Sequence, residues 1–282
     1  EVAGEDVPGG DPTSPTPIGD GIVVLRQVHR FGGGISQFAE AVRAGNPDAT
    51  VEILGRDLRD VRWLPLDVAA IKPSDPSLVP IREVVVESGR QVTDAARAGD
   101  ARGAIGALGS CRVLCAHRHG PYGVDTWMAR IESWLGAEIE GFAAEGTWYV
   151  GRPLLVTEND YGLRLFNGDT GVVVATAPGR VAAVFERREE LLEFSPTRLA
   201  AVDTVYAMTV HKSQGSQFAT VAVVLPDPAS LILTRELLYT AATRSREQLI
   251  VAATEESVRA AVSRPIARAS GLRRLLWDIP GA

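Results

Sequence analysis

The sequence predicts an α/β fold, in which a parallel-sheet domain carries a small inserted antiparallel β-barrel. Two observations predict this fold. Short apolar runs alternate with helical patterns in the first and last parts of the chain, which is typical of the strands and helices of a parallel sheet. Between these parts, over residues 148–199, short β-rich runs follow one another without an intervening helical pattern.

The first part of the sheet domain is predicted over residues 21–147. It follows residues 1–20, whose Gly, Pro, Asp, Ser and Thr content indicates a flexible linker. Two apolar runs predict buried strands, at Ile22–Leu25 and Arg112–Ala116. Helical spacing of apolar residues predicts four helices, at Ile35–Ala44, Val79–Ala98, Ala101–Leu108 and Val124–Leu135. Gly45-Asn46-Pro47 should end the first of these helices.

The inserted barrel is predicted over residues 148–199. Its strands are expected at Leu154–Val156, Val172–Val174 and Val181–Phe185. Asn167-Gly168, between the first two, predicts a tight hairpin turn.

The sheet domain resumes over residues 200–282. A buried strand is expected at Val221–Leu225 and another at Leu249–Ala253, with helices at Arg235–Thr243 and Glu255–Val262. Strands and helices therefore alternate again, as in the first part.

Composition limits the class of protein. The chain has 282 residues and a net charge of −6, which argues against a histone-like DNA coat but allows a local basic track. Cys111 and Cys115 share one face of a strand, too far apart to bridge, and two cysteines make no zinc site. We expect buried thiols, no metal site and a cytoplasmic location. No apolar run is long enough to predict a membrane span.

The run Thr209-Val210-His211-Lys212-Ser213-Gln214-Gly215 lies between two predicted elements and is followed by Gln217 and an aromatic residue. Short hydroxyl, imidazole and ammonium donors on such a turn suit phosphate oxygens. The run resembles motif V of superfamily 1 helicases, most closely the RecD branch. The resemblance implies contacts from Thr209, His211, Lys212 and Ser213 to single-stranded DNA. It also implies nucleotide contacts at Gly215 and at Gln217, where the family usually has Glu.

The run Tyr239-Thr240-Ala241-Ala242-Thr243-Arg244-Ser245-Arg246 resembles motif VI of the same family. Without the resemblance, an arginine at a helix end is as well explained by the helix dipole. The resemblance implies that Arg244 is an arginine finger on the γ-phosphate of ATP, supported by Arg246. Residues 25–31 resemble motif IV, which implies a second γ-phosphate contact from Arg30. We expect Arg30 and Arg244 at adjacent strand ends, at the ligand-binding edge of the sheet.

Two further runs are similar to the RecD family. Residues 112–125 include His117, Arg118 and His119, which the resemblance makes candidate DNA contacts, although Met128 stands where the family usually has Asn. Residues 159–171 match the barrel of the family, and Asn167 there is a secondary candidate DNA contact.

A phosphate-binding Walker A loop requires Gly-Lys-Ser/Thr, and neither lysine of the chain, Lys72 or Lys212, stands in that pattern. The resemblance therefore implies the C-terminal half of a helicase. ATP and Mg²⁺ would be used with a missing N-terminal RecA-like domain, alongside RecB- and RecC-type subunits of an exonuclease V, in which this chain would belong to the 5′→3′ helicase subunit. We expect no ATP hydrolysis by this half alone. Two other hypotheses remain: a stand-alone module that binds single-stranded DNA, and a scaffold without catalytic function.

Overall fold

A computed structural model describes residues 33–143 and 146–266 and shows a five-stranded parallel sheet. The strands lie in the order β1-β10-β9-β2-β8. Their bounds are Val61–Leu64 for β1, Cys111–Cys115 for β2, Ala207–Thr209 for β8, Phe218–Val224 for β9 and Ser245–Ala252 for β10. The parallel-sheet prediction is confirmed, and the strands expected near residues 112, 221 and 249 are β2, β9 and β10.

The described residues form seven α-helices. They are α1 (Gly33–Arg43), α2 (Pro47–Gly55), α3 (Val79–Arg97), α4 (Ala101–Leu108), α5 (Val124–Glu138), α6 (Arg235–Ala242) and α7 (Glu255–Ser263). All of these helices except α4 pack on the two faces of this sheet. The pattern predicted all of them except α2. Asn46 and Pro47 end α1 as expected, but they also begin α2, because the Asn46 side chain accepts a hydrogen bond from Ala49 N (3.0 Å).

Alternate residues of the central strands enter two different cores. Val221 and Val223 of β9 pack with α1, α2, α6 and α7, whereas Ala222 and Val224 pack with α3 and α5. The second core contains the predicted stripe of Trp127, Ile131 and Trp134 on α5 and both cysteines, which are free thiols. Burial of both strand faces explains why these strands read as continuous apolar runs.

A second, antiparallel sheet follows, in the order β6-β5-β4-β3-β7. Its strands are β3 (Pro153–Val156), β4 (Thr170–Ala177), β5 (Arg180–Arg187), β6 (Glu190–Phe194) and β7 (Val202–Thr204). The insertion is therefore confirmed as antiparallel, but no pairing among the described residues joins β6 to β7, so a closed barrel is not present there. The helices α3 and α4 cover one face through Val92, Ala96 and Leu108, so the sheet buries that face without curling onto itself. Strand β7 also carries the sheet beyond residue 199.

Asn167-Gly168 forms a turn, but not a two-residue hairpin. Asp169 N donates to Phe166 O (2.9 Å), and Gly168 has a φ of 97°. The link between β3 and β4, however, runs over residues 157–169. The predicted turn is confirmed, and it stands at the end of a longer loop.

Residues 1–32 lie outside the described part of the chain, and with them the predicted linker, the strand at Ile22–Leu25 and Arg30. Within the described residues, none of the helices has the length and apolar character needed to cross a bilayer.

Candidate nucleic-acid and nucleotide sites

Strands β2 and β8 are neighbours and end at the same level of the sheet. Cys115, the last residue of β2, pairs with Thr209, the last residue of β8. The residues that follow, His117 and Arg118 on one side and His211 and Lys212 on the other, therefore emerge at the same carboxyl edge. The structure thus brings together two runs that the sequence places about ninety residues apart.

The turn after β8 presents some of its polar side chains and buries others. Ser213 N donates to Thr209 O, Gln214 N to His211 O and Ser216 N to Ser213 O, which makes a tight helical turn. His211 and Lys212 are exposed. Ser213 is fully buried, and its hydroxyl donates to Val210 O (2.7 Å), so in this conformation it stabilises the turn from inside.

Gly215 allows the chain to leave this turn. Its φ is 89°, a left-handed conformation that side chains with a Cβ rarely adopt. No atom lies within 4 Å of the position that a Cβ would occupy there. Backbone conformation, and not lack of space, therefore explains the glycine.

A cleft of about 320 Å³ lies where the two sheets and α5 meet. Arg118, Thr209 and Lys212 line it, and they are three of the predicted DNA contacts. Its remaining walls come from α5, β3 and the segment before β8, including Asp125, Met128, Leu155, Asp203 and Thr204. The charged lining has two cations, Arg118 and Lys212, and two carboxylates, Asp125 and Asp203, so a nucleic-acid backbone would be bound by the two cations and its bases by the apolar part of the wall. Sequence patterns did not indicate the contribution of Asp203 and Thr204.

The loop after β2 is compact, and its histidines have different partners. His117 Nε2 is 2.9 Å from Ser230 Oγ, and His119 Nδ1 is 2.5 Å from Asp125 Oδ2. A Cβ at Gly123 would lie 2.5 Å from the His119 backbone, so the loop requires glycine there. Among the described residues, no three His, Cys, Asp or Glu side chains form a metal-binding group.

Arg244 lies at the opposite end of the sheet from this cleft, just before β10. Phe218, the first residue of β9, pairs with Ser245, whereas Val224 at its other end pairs with Cys115, at the level of Thr209. Seven residues of β9 separate the two levels by about 20 Å. The expectation that Arg244 lies at the carboxyl edge is therefore wrong, because its helix leads into the strand and does not follow one.

The Arg244 guanidinium is held by backbone and hydroxyl groups. Its Nε donates to Thr240 O (3.2 Å), Nη1 to Ser216 O (3.2 Å) and Nη2 to Thr243 Oγ1 (3.2 Å). Gln217 is next to Ser216, and its Nε2 is buried without a hydrogen-bond partner among the described residues. Arg246 is exposed at the start of β10. The structure therefore gathers Gln217, Arg244 and Arg246 around the amino ends of β9 and β10.

Asn167 lies in the loop between β3 and β4 and is not part of the cleft lining. Its side chain is exposed, and its backbone N donates to Asn159 Oδ1 (2.9 Å). The cleft includes Leu155 and Thr204 of that sheet but not Asn167.

Arg112 is a buried arginine within β2 that supports the elements around the cleft. It is buried, it donates to Val205 O and to Leu108 O, and its guanidinium lies 5.0 Å from the centre of the Phe218 ring. Burial lowers the pKa of the guanidinium to about 10. Arg112 thereby ties β2 to the segment that leads into β8 and to the start of β9. In the sequence, an arginine within the apolar run of β2 is the signal that could have indicated this buried charge.

Comparisons with known proteins found the following similarities. Residues 204–252 match the family of UvrD-like helicase C-terminal domains. The RecBCD enzyme subunit RecD of Mycolicibacterium smegmatis is 46% identical over 256 residues, which are 91% of this chain and 44% of that protein. The ATP-dependent RecD2 DNA helicase of Deinococcus radiodurans is 32% identical over 161 residues, which are 57% of this chain and 22% of that protein. The alignment with the structure of Pif1 helicase from Candida albicans covers 80% of this chain and 55% of that chain, at 13% identity and a TM-score of 0.39.

The helix-covered parallel sheet and the match to helicase C-terminal domains define the class, a RecA-like domain of a superfamily 1 helicase. Within this class, the chain belongs to the RecD family, as its 46% identity over 91% of its length shows. It spans less than half the length of the RecD subunits that it matches.

Proposed function

We propose that this chain is the second motor domain of an ATP-dependent 5′→3′ DNA helicase, the RecD-type subunit of an exonuclease V that processes broken double-stranded ends. The observation that carries the proposal is the segment Thr209–Phe218. It supplies Thr209 and Lys212 to the cleft at one edge of the sheet, and Ser216 to Arg244 at the other. One short segment thus contacts both candidate sites.

At the carboxyl edge, Thr209, His211, Lys212 and Arg118 hold the phosphates of single-stranded DNA. Lys212 and Arg118 supply the charge, and the Thr209 hydroxyl supplies a short donor. We call these four residues the DNA grip. His117 lies beside them, and Ser213 stabilises the turn after β8 from inside. Asn167, in the loop between β3 and β4, is a secondary contact.

At the amino ends of β9 and β10, Arg244 contacts the γ-phosphate of ATP that the other RecA-like domain holds, with Arg246 beside it. Gln217 and Gly215 are the candidate nucleotide contacts beside it. The Gln217 Nε2 is buried and has no partner among the described residues, so it would have to turn outward to donate to an oxygen acceptor such as a hydroxyl. Arg30 would add a second guanidinium. Hydrolysis of ATP would drive movement along the DNA.

The proposal implies that this chain does not hydrolyse ATP alone, since its two lysines do not stand in a Walker A loop. The partners are the N-terminal RecA-like domain, RecB- and RecC-type subunits and single-stranded DNA, in the cytoplasm.

The test has two arms. In the first, the purified chain is titrated into labelled single-stranded DNA; failure to bind would favour the scaffold hypothesis. In the second, ATPase is measured after the N-terminal half of a RecD relative is supplied. Arg244→Ala should abolish the restored turnover and leave DNA binding nearly intact. If Arg244→Ala weakens only DNA binding, the chain is a stand-alone binding module and not part of a motor.

A further inference from the structure

Met128 on α5 makes an unusual contact with the strand that leads to the DNA grip. Its Sδ lies 3.2 Å from Tyr206 N and 3.2 Å from Ala207 N, so the thioether accepts from two consecutive backbone amides. Strand β8 is an end strand of the sheet, so an amide on its outer side has no neighbouring strand to accept its hydrogen bond. The sulfur of Met128 supplies the missing acceptor.

This contact stands at the base of the proposed DNA grip. Ala207 begins β8, Thr209 ends it, and Lys212 follows three residues later. The other side of the grip belongs to α5, because Asp125 N near the start of that helix donates to Arg118 O (3.1 Å). Met128 therefore joins the helix that positions Arg118 to the strand that positions Lys212, and it lines the cleft between them.

We propose that Met128 is a positioning residue for single-stranded DNA binding, and that its role is to accept these two hydrogen bonds. The proposal rests on the proposed function of the cleft. If Met128 only filled space, leucine could replace it, because leucine has nearly the same volume. Acceptance of the two amides would be served by asparagine, whose carbonyl oxygen has two lone pairs and is a stronger acceptor than a thioether.

The experiment compares Met128→Leu with Met128→Asn in the full chain, using fluorescence anisotropy with a labelled 20-nucleotide oligothymidylate. Loss of the acceptor leaves two amides unpaired and frees the start of β8, so Met128→Leu should bind about three- to tenfold more weakly. Met128→Asn should bind within about twofold of the original chain. Ile131→Leu is the matched control on the same helix: Ile131 is fully buried, does not line the cleft, and the substitution keeps the side-chain volume, so the affinity for the oligonucleotide should not change.

Amide hydrogen exchange, measured on the same proteins without DNA, tests the two hydrogen bonds that Met128 accepts. Exchange at Tyr206 and Ala207 should accelerate in Met128→Leu and return to the original rate in Met128→Asn. The inference is overturned if Met128→Leu binds as well as the original chain, or if Met128→Asn is as weak as Met128→Leu. The original chain could also fail to bind oligothymidylate while exchange at Tyr206 and Ala207 changes as expected. The proposed DNA-binding function would then be wrong, but the acceptor role of Met128 would be confirmed.

Discussion

Arg244 Nη1 donates to Ser216 O at 3.2 Å, and the Arg244 carbonyl accepts from Phe218 N at 2.9 Å. Arg244 is therefore bonded on both sides to the end of the turn that begins at Thr209. Ser216 lies four residues after Lys212, so the bond to Ser216 links Arg244 to the same short segment that lines the cleft. This connection is the physical basis on which we propose that nucleotide contact and DNA contact are coupled.

The geometry of the Arg244 guanidinium predicts a difference between the two arginines of the motif. Arg244→Lys keeps the charge but cannot reach Thr240 O, Ser216 O and a phosphate together, because an ammonium lacks the planar fork. We expect its ATPase turnover, measured with the N-terminal half supplied, to fall about 10³-fold. Arg246→Lys is the matched control and should lose no more than a few-fold, since Arg246 is exposed. Equal losses in the two variants would contradict the assignment of Arg244.

The charged rim of the cleft predicts how binding depends on salt. Lys212→Ala and Arg118→Ala should each weaken single-stranded DNA binding, and each should reduce the slope of log K against log salt by about 0.7. Affinity measured at four or more salt concentrations gives the slope. Lys72→Ala removes the other lysine of the chain, which does not line the cleft, and should leave the slope unchanged. A Lys212 variant with the original slope would rule out a phosphate contact there.

The left-handed backbone at Gly215 predicts that the turn, and not only its side chains, matters for binding. Gly215→Ala meets no steric obstacle, so its cost is the backbone conformation, about 1 kcal/mol. Relief of that strain should distort the turn and weaken DNA binding several-fold. Gly179→Ala is matched in backbone, with a φ of 69° and open space, but lies on the antiparallel sheet. Urea titrations should show similar destabilisation of both variants, with weaker DNA binding in Gly215→Ala only.

The buried thiols predict how the cysteines react. Burial raises the pKa of Cys111 to about 12 and raises that of Cys115 further, so neither forms appreciable thiolate below pH 9. In the native protein, we expect no reaction with a thiol reagent at pH 7 and no acceleration as the pH rises to 9. In denaturant, two thiols per chain should react at once. Rapid reaction in the native state would show that β2 opens.

The sequence predicted those parts of the fold in which one chemical pattern has one structural outcome. Helix α5 has apolar residues on a single stripe, and both faces of β2 and β9 are buried, so periodicity and apolar runs located them. Helix α2 was missed because Asn46 and Pro47 read as a stop, although the same residues are good at starting a helix. Strand β8, at three residues, is too short to produce a pattern.

The sequence by itself determined the family, because the runs around Lys212 and Arg244 carry the resemblance, and it thereby indicated which residues we propose as contacts to DNA and nucleotide. Only the tertiary structure decided where those runs lie. Pairing of Cys115 with Thr209 brings Arg118 to Lys212, whereas the parallel direction of β10 places Arg244 at the opposite end of the sheet. Strand order and direction arise from contacts between residues distant in the chain, which local patterns do not encode. The acceptor role of Met128 depends on the same contacts.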